Sequence, residues 1–151
     1  DTISANIAFG IESKDINQLA VEKAAKIANI HDFIFNELPE KYQTKVGERG
    51  VRLSGGQLQR IGIARAIYNN PSLLILDEAT NALDNQTEKN VMDAINNLHK
   101  NTTIIIIAHR LSTVKNCDNI FLLEKGRIVN HGTYNDLINK DKDFAILAKN
   151  D

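Results

Sequence analysis

The sequence predicts an α/β domain, a parallel sheet flanked by helices, and three observations carry that expectation. Leu73-Leu74-Ile75-Leu76 and Ile104-Ile105-Ile106-Ile107 are unbroken apolar runs of strand length, the pattern of parallel strands covered on both faces. Between them, Gln86 to His99 carries Val91, Met92, Ile95 and Leu98 at helical spacing, so the three segments form a strand-helix-strand unit. Composition is the third: 42% apolar and 25% charged residues, with eight glycines and two prolines, suit a globular core rather than a disordered, collagenous or low-complexity chain. A length of 151 residues is one domain's worth and excludes a long repeat array.

The remaining elements follow in chain order. Ile16, Leu19, Ala20, Ala24, Ile27 and Ala28 lie close to one stripe, which predicts a helix from about Asp15 to Asn29. A shorter helical run around Asp32 to Asn36 stops near Pro39, because proline lacks a donor and restricts the residue before it. Gly55-Gly56 opens a helix with apolar positions at Leu58, Ile61, Ala64 and Ile67, and Asn69-Asn70-Pro71 ends it. Asn119 to Leu123 and Arg127 to Asn130 flank Glu124-Lys125-Gly126, a β-hairpin with its glycine in the turn. Two tail segments, Thr133 to Asn139 and Asp143 to Lys149, read as peripheral helices.

Charge and cysteine usage narrow the function classes. Eighteen basic and nineteen acidic side chains leave a net charge of −1, so there is no cationic surplus to coat a nucleic acid. No apolar stretch is longer than Ile104 to Ala108, far short of the roughly 20 residues that span a bilayer. One cysteine, Cys117, forms no internal disulfide and reads as an inert, half-buried thiol in a reducing setting. The chain opens without Met or a leader, as a piece of something longer would.

Three segments carry the chemistry. Leu53-Ser54-Gly55-Gly56-Gln57 places two glycines before a helix, where backbone N–H groups and the positive dipole end approach an anion and Ser54 adds a hydroxyl donor. Taken alone it is more often an ordinary turn than an anion site. Asp77 and Glu78 end a strand, at the crevice where open α/β sheets bind ligands. There Asp77 could hold Mg²⁺ and Glu78 could polarise a water for attack on phosphorus, or Asp77 could cap the following turn beside a solvated Glu78. His109 follows the second strand at the same edge, whereas His31, His99 and His131 read as surface or packing residues.

The order Val46-Gly47-Glu48-Arg49-Gly50, Leu53-Ser54-Gly55-Gly56-Gln57, Leu76-Asp77-Glu78-Ala79-Thr80, Ala82-Leu83-Asp84 and Ala108-His109-Arg110-Leu111-Ser112 resembles the second half of an ABC transporter nucleotide-binding domain of the bacterial exporter type. Five motifs in this order, spread over about residues 3 to 139, are very specific. The resemblance implies a partial P-loop NTPase fold with an α-helical signature subdomain. Residues 1–70 would form that subdomain with the signature loop and its helix, and 71–151 the C-terminal half of the ATPase core. It further implies ATP and Mg²⁺ as cofactors. Ser54, Gly55, Gly56 and Gln57 would form the signature loop completing the ATP site of an opposite subunit, and Asp84 the aspartate linking the two sites. Asp77 would bind the metal, Glu78 would be the catalytic base, and His109 would sense the γ-phosphate. Glu48 and its neighbours would touch the coupling helices of transmembrane domains. The implied partners are therefore a second nucleotide-binding domain, head to tail, and those transmembrane domains, with no nucleic acid. The implied location is the cytoplasmic face of the inner membrane.

Two departures and one omission stand out. Asn81 occupies a position where the family usually has serine, and Leu58 follows the signature glutamine where a polar residue is common. A phosphate-cradling loop needs Gly-x-x-x-x-Gly-Lys followed by Ser or Thr. Gly50 and Gly55 have that glycine spacing, but Gly56 stands where lysine is required. The expectation is a chain that by itself neither binds ATP tightly nor hydrolyses it, with apolar sheet surface left exposed. A soluble, non-transporting ABC-type ATPase and a non-catalytic interaction module are the alternatives to an exporter motor.

Overall fold

The computed structural model describes residues 1–47, 51–97, 102–108 and 110–150. Contacts divide the chain into two compact units, Asp1–Ile105 and Ile106–Asp151.

The first unit begins with α1 (Ile3–Ile7), whose first turn is capped by the Thr2 hydroxyl accepting from the Ala5 N–H at 3.1 Å. Ile3 and Ile7, one turn apart, are both buried, but five residues are too few for periodicity to reveal the helix. α2 (Gln18–Ile27) starts where the Asn17 side chain accepts from the Ala20 N–H, and Asn29 turns left-handed (φ 53°) beyond its end. Its buried face is Val21, Ala24, Ala25 and Ala28, which shares only Ala24 and Ala28 with the expected stripe: Leu19 is 78% exposed. α2 packs against α4, and three of its four buried residues are alanines. α3 (His31–Glu37) is followed by Leu38 in extended conformation, as Pro39 requires of its predecessor. His31 is a packing residue: its Nδ1 lies 2.8 Å from the Tyr42 hydroxyl and its ring stacks on Phe35. Burial pushes the Tyr42 hydroxyl above the ordinary tyrosine range, with Glu22 and Asp32 adding to the effect.

α4 (Gly55–Tyr68) buries Ile61, Ile63, Ala64 and Ile67 and packs against α1 and α2. Two guanidinium groups fix it to its neighbours. Arg60 donates to the Asn29 carbonyl at 2.7 Å, and Arg65 donates to the Asn6 carbonyl at 2.7 Å while lying over the Phe9 ring. After Pro71 comes β1 (Leu73–Asp77), then α5 (Asn85–Asn96), then β2 (Thr103–Ile107), in which the first unit ends. β1 and β2 form a two-stranded parallel sheet, so the strand-helix-strand unit is present as expected.

The expectation that both strand faces would be covered is corrected. Leu74 and Leu76 are buried, whereas Leu73, Ile75, Ile105 and Ile107 are between 46% and 57% exposed. An unbroken apolar run reports that both faces avoid water, but not whether the same stretch of chain supplies both covers.

The second unit holds α6 (Leu111–Val114), the hairpin β3 (Ile120–Glu124) and β4 (Arg127–Gly132), α7 (Tyr134–Lys140) and α8 (Lys142–Asn150). Glu124 pairs with Arg127 across Lys125-Gly126, both at positive φ (48° and 76°), a two-residue turn of the primed type that matches strand twist. A bulge falls between Leu122 and Leu123. The tail helices are not peripheral, contrary to expectation. Leu137 of α7 and Phe144 of α8 are fully buried with Ile120, ringed by Leu111, Val114, Cys117, Leu122 and Tyr134. A hairpin buries one face only against something, and here the tail helices supply the apolar partners.

Candidate functional site

The site is built where α4 begins and where β1 gives way to the turn before α5. Ser54 ends an extended approach (φ −67°, ψ 162°), and its hydroxyl accepts from the Gln57 N–H at 3.2 Å. The Gln57 side chain in turn accepts from the Ser54 N–H at 2.7 Å, completing a capping box. Because the Ser54 oxygen accepts in this box, its proton remains to be donated outward, beside the N–H groups of Gly55 and Gly56 that open the helix. The expected anion-facing arrangement of Ser54, Gly55, Gly56 and Gln57 is thus a helix start of fourteen residues rather than an isolated turn.

Asp77 is the last residue of β1 and is exposed. Strand alternation places it on the same face as Leu73 and Ile75, opposite the buried Leu74 and Leu76. Glu78 follows with a left-handed backbone (φ 47°), an uncommon conformation for a residue with a side chain. Its carboxylate Oε2 accepts from Asn81 Nδ2 at 2.7 Å, so the residue that departs from the family's serine contacts the acidic pair directly. The turn behind it is locked. Asn81 N–H reaches the Glu78 carbonyl at 3.3 Å, Leu83 N–H the Thr80 carbonyl at 3.0 Å, and the buried Thr80 hydroxyl donates to Glu88 Oε1 at 2.9 Å.

Asp84 caps α5 by accepting from the Thr87 N–H at 2.9 Å, and hydrogen bonding from Thr87 holds its carboxyl below the usual carboxylate value. Burial lowers the Arg60 guanidinium, and the nearby negative charge of Asp84 opposes that shift.

The helix start and the acidic turn meet. A Cβ on Gly56 would stand 3.0 Å from the Ala82 carbonyl oxygen, so the two backbones touch there. Gln59, one turn into α4, bonds both ends of the turn: its Nε2 donates to the Glu78 carbonyl at 3.1 Å and its Oε1 accepts from the Ala82 N–H at 2.9 Å. Sequence reasoning missed Gln59, because a glutamine on the polar side of an amphipathic helix carries no signal of what it faces. His109 and Glu48 lie outside the described residues.

Among the described residues no cluster of three or more His, Cys, Asp or Glu could hold a metal unaided. A single exposed carboxylate at a strand end nevertheless fits Mg²⁺, which keeps most of its shell as water and phosphate oxygen and takes one or two carboxylates from protein. No described helix is long and apolar enough to cross a membrane.

Comparison with known proteins bears on this arrangement. The chain is 52% identical over 147 residues to an ATP-dependent lipid A-core flippase of Saccharophagus degradans, covering 97% of this chain and 25% of that protein. It is 48% identical over 148 residues to multidrug resistance protein pgp-1 of Caenorhabditis elegans, covering 98% of this chain and 11% of that one. Among solved structures, a bacterial Atm1-family ABC exporter with ATP bound superposes with a TM-score of 0.88 at 43% identity, over 99% of this chain and 26% of that chain. The chain therefore spans about a quarter or less of the length of these relatives. A family model described as ABC transporter matches residues 4–81, more than half of the sequence, and takes in both the capping-box glycines and the Asp77-Glu78 pair. With the motif order, the helix-start geometry and the acidic turn in agreement with that match, the chain belongs to the ABC transporter family.

Proposed function

We propose that this chain is part of the motor of an ATP-driven exporter and works as the portion that presents a signature helix and activates water. The observation that carries the reading is the exposed Asp77-Glu78 pair at the end of β1, set on a turn that is hydrogen-bonded to the first turns of α4. In that reading residues 1–70 act as the helical subdomain and 71–151 as the C-terminal half of the ATPase core.

Each named residue has one task. Asp77 holds Mg²⁺, which when bound draws negative charge off the phosphate oxygens. Glu78 takes a proton from the attacking water. Ser54, Gly55, Gly56 and Gln57 direct N–H and hydroxyl donors at the terminal phosphate held by a second nucleotide-binding domain, arranged head to tail. His109 orients the terminal phosphate bound in its own site, and Asp84 joins the two sites. Glu48 and its neighbours meet transmembrane domains, which places the assembly at the cytoplasmic face of the membrane. The names of the similar proteins, a flippase and a multidrug resistance protein, support export as the work done.

The phosphate loop with its lysine must come from sequence other than these 151 residues. The isolated chain is accordingly expected to show no Mg²⁺-dependent ATP turnover. In the assembled transporter, Glu78→Gln is expected to lower steady-state hydrolysis by about 10²–10⁴-fold, the usual contribution of a general base, with ATP still bound. Turnover within twofold of the unsubstituted transporter would remove Glu78 from the role.

A further inference from the structure

We propose that Gln59 is a positioning residue for Glu78, a brace by which the signature helix fixes the backbone of the water-activating carboxylate. The inference rests on the reading of Glu78 as the base.

The geometry is specific to an amide. The Glu78 carbonyl can only accept and the Ala82 N–H can only donate, so one side chain must offer a donor and an acceptor at once. Gln59 does so at 3.1 and 2.9 Å, and this also fixes which of its terminal atoms faces which group. The two bonds embrace the turn 78–82 at both ends.

The need for a brace comes from Glu78 itself. At φ 47° its backbone occupies the left-handed region, which is strained for a residue that bears a side chain. Such a conformation persists only when its surroundings over-determine it. The bond from Asn81 N–H to the same carbonyl, at 3.3 Å, is the weaker support, because it comes from within the turn and moves with it. Gln59 is anchored outside the turn, on α4, whose start touches Ala82 through Gly56 and whose Arg60 is tied to Asn29. Release of the brace lets Glu78 relax toward ordinary φ values and carries the carboxylate away from the position a water must meet. Displacement of about 1 Å at a reacting group costs up to about 10²-fold in rate.

The test uses the complete transporter, with kcat and KM for MgATP measured on Gln59→Ala, Gln59→Glu, Glu78→Gln and the Gln59→Ala/Glu78→Gln double variant. Gln59→Ala is expected to lower kcat about tenfold or more while KM stays within twofold. Gln59→Glu has nearly the same volume and keeps the acceptor for Ala82, but loses the donor for Glu78, so its kcat also falls and a failure to fold is separated from a loss of position. In the Glu78→Gln background, Gln59→Ala is expected to lower the residual single-turnover rate no further, since the two residues act as one unit. Unchanged kcat in both Gln59 variants, KM rising as steeply as kcat falls, or an additive double variant each overturns the brace while leaving Glu78 as base. Undiminished turnover of Glu78→Gln overturns both.

Discussion

Gly56 and Gly62 lie on the same helix and respond to the same substitution with opposite sign. At Gly56 an added methyl would press on the Ala82 carbonyl oxygen at 3.0 Å, backbone that Gln59 holds in place. Gly56→Ala is expected to cost about 1–3 kcal/mol, the range for overpacking a fixed neighbour, read as a lower urea midpoint. Nothing lies within 4 Å of a Cβ built on Gly62, which is exposed in the middle of α4. Gly62→Ala is expected to stabilise by about 0.5–1 kcal/mol, read as a higher midpoint, through helix propensity and a less free unfolded chain. The buried hydrogen bond from Thr80 to Glu88 gives a third case: Thr80→Val keeps the shape but removes a donor, and is expected to cost about 1–3 kcal/mol. Thermal unfolding of the variant beside its parent checks this. At this scale the sequence announces the residues whose type is rare in its setting, such as paired acids closing an apolar run or adjacent glycines before a helix. Gln59 was illegible, and Asn81 stood out only as a departure from the family's serine, because their partners are backbone and carboxylate atoms of a turn whose shape no local pattern encodes.

Among the elements, those that begin on strong caps kept close to their expected bounds. α4 starts at Gly55 behind Ser54 and α5 at Asn85 behind Asp84, each with its cap bond formed. α7 begins at Tyr134, behind Thr133 and Asp136 in a second capping box. Hydrogen bonds from Thr133, with Lys140 adding its charge, hold the Asp136 carboxyl below its ordinary value. The folded pKa is thus below the unfolded one. The stabilisation is complete above the unfolded value of about 3.9 and is lost as pH falls through the folded value. Asp136→Asn is expected to keep the cap while flattening the acid limb of thermal stability below about pH 4, measured by scanning unfolding from pH 6 to pH 2. What misled sequence reasoning was rotation and partnership. α2 turns Leu19 outward and buries alanines instead, and the tail helices are core because Leu137 and Phe144 pack with Ile120 of the hairpin. Neither choice is made by the segment that shows it.

For the molecule as a whole, the α/β class, the strand-helix-strand unit and the family were all legible, since each rests on long runs or ordered motifs. Some exposed apolar surface was expected because the sequence holds no phosphate loop, but an uncovered sheet face was not, since the apolar runs read as covered on both sides. Leu73, Ile75, Ile105 and Ile107 on β1 and β2, with Phe121, Leu123, Ile128 and Val129 on the hairpin, are all exposed by 46% or more. The isolated chain is therefore expected to self-associate with rising concentration, and Ile75→Thr with Ile105→Thr to shift that association to higher concentration by light scattering. The division into units has a temporal side as well. The second unit gathers its core from Leu111 to Phe144, across a two-residue turn and short helical connections, so its closures span short stretches of chain. The first must bring α1 against residues 44 to 46 and against α4, with longer loops to close. Low contact order favours fast formation, and the second unit is thereby fitted to fold sooner after it emerges than the first.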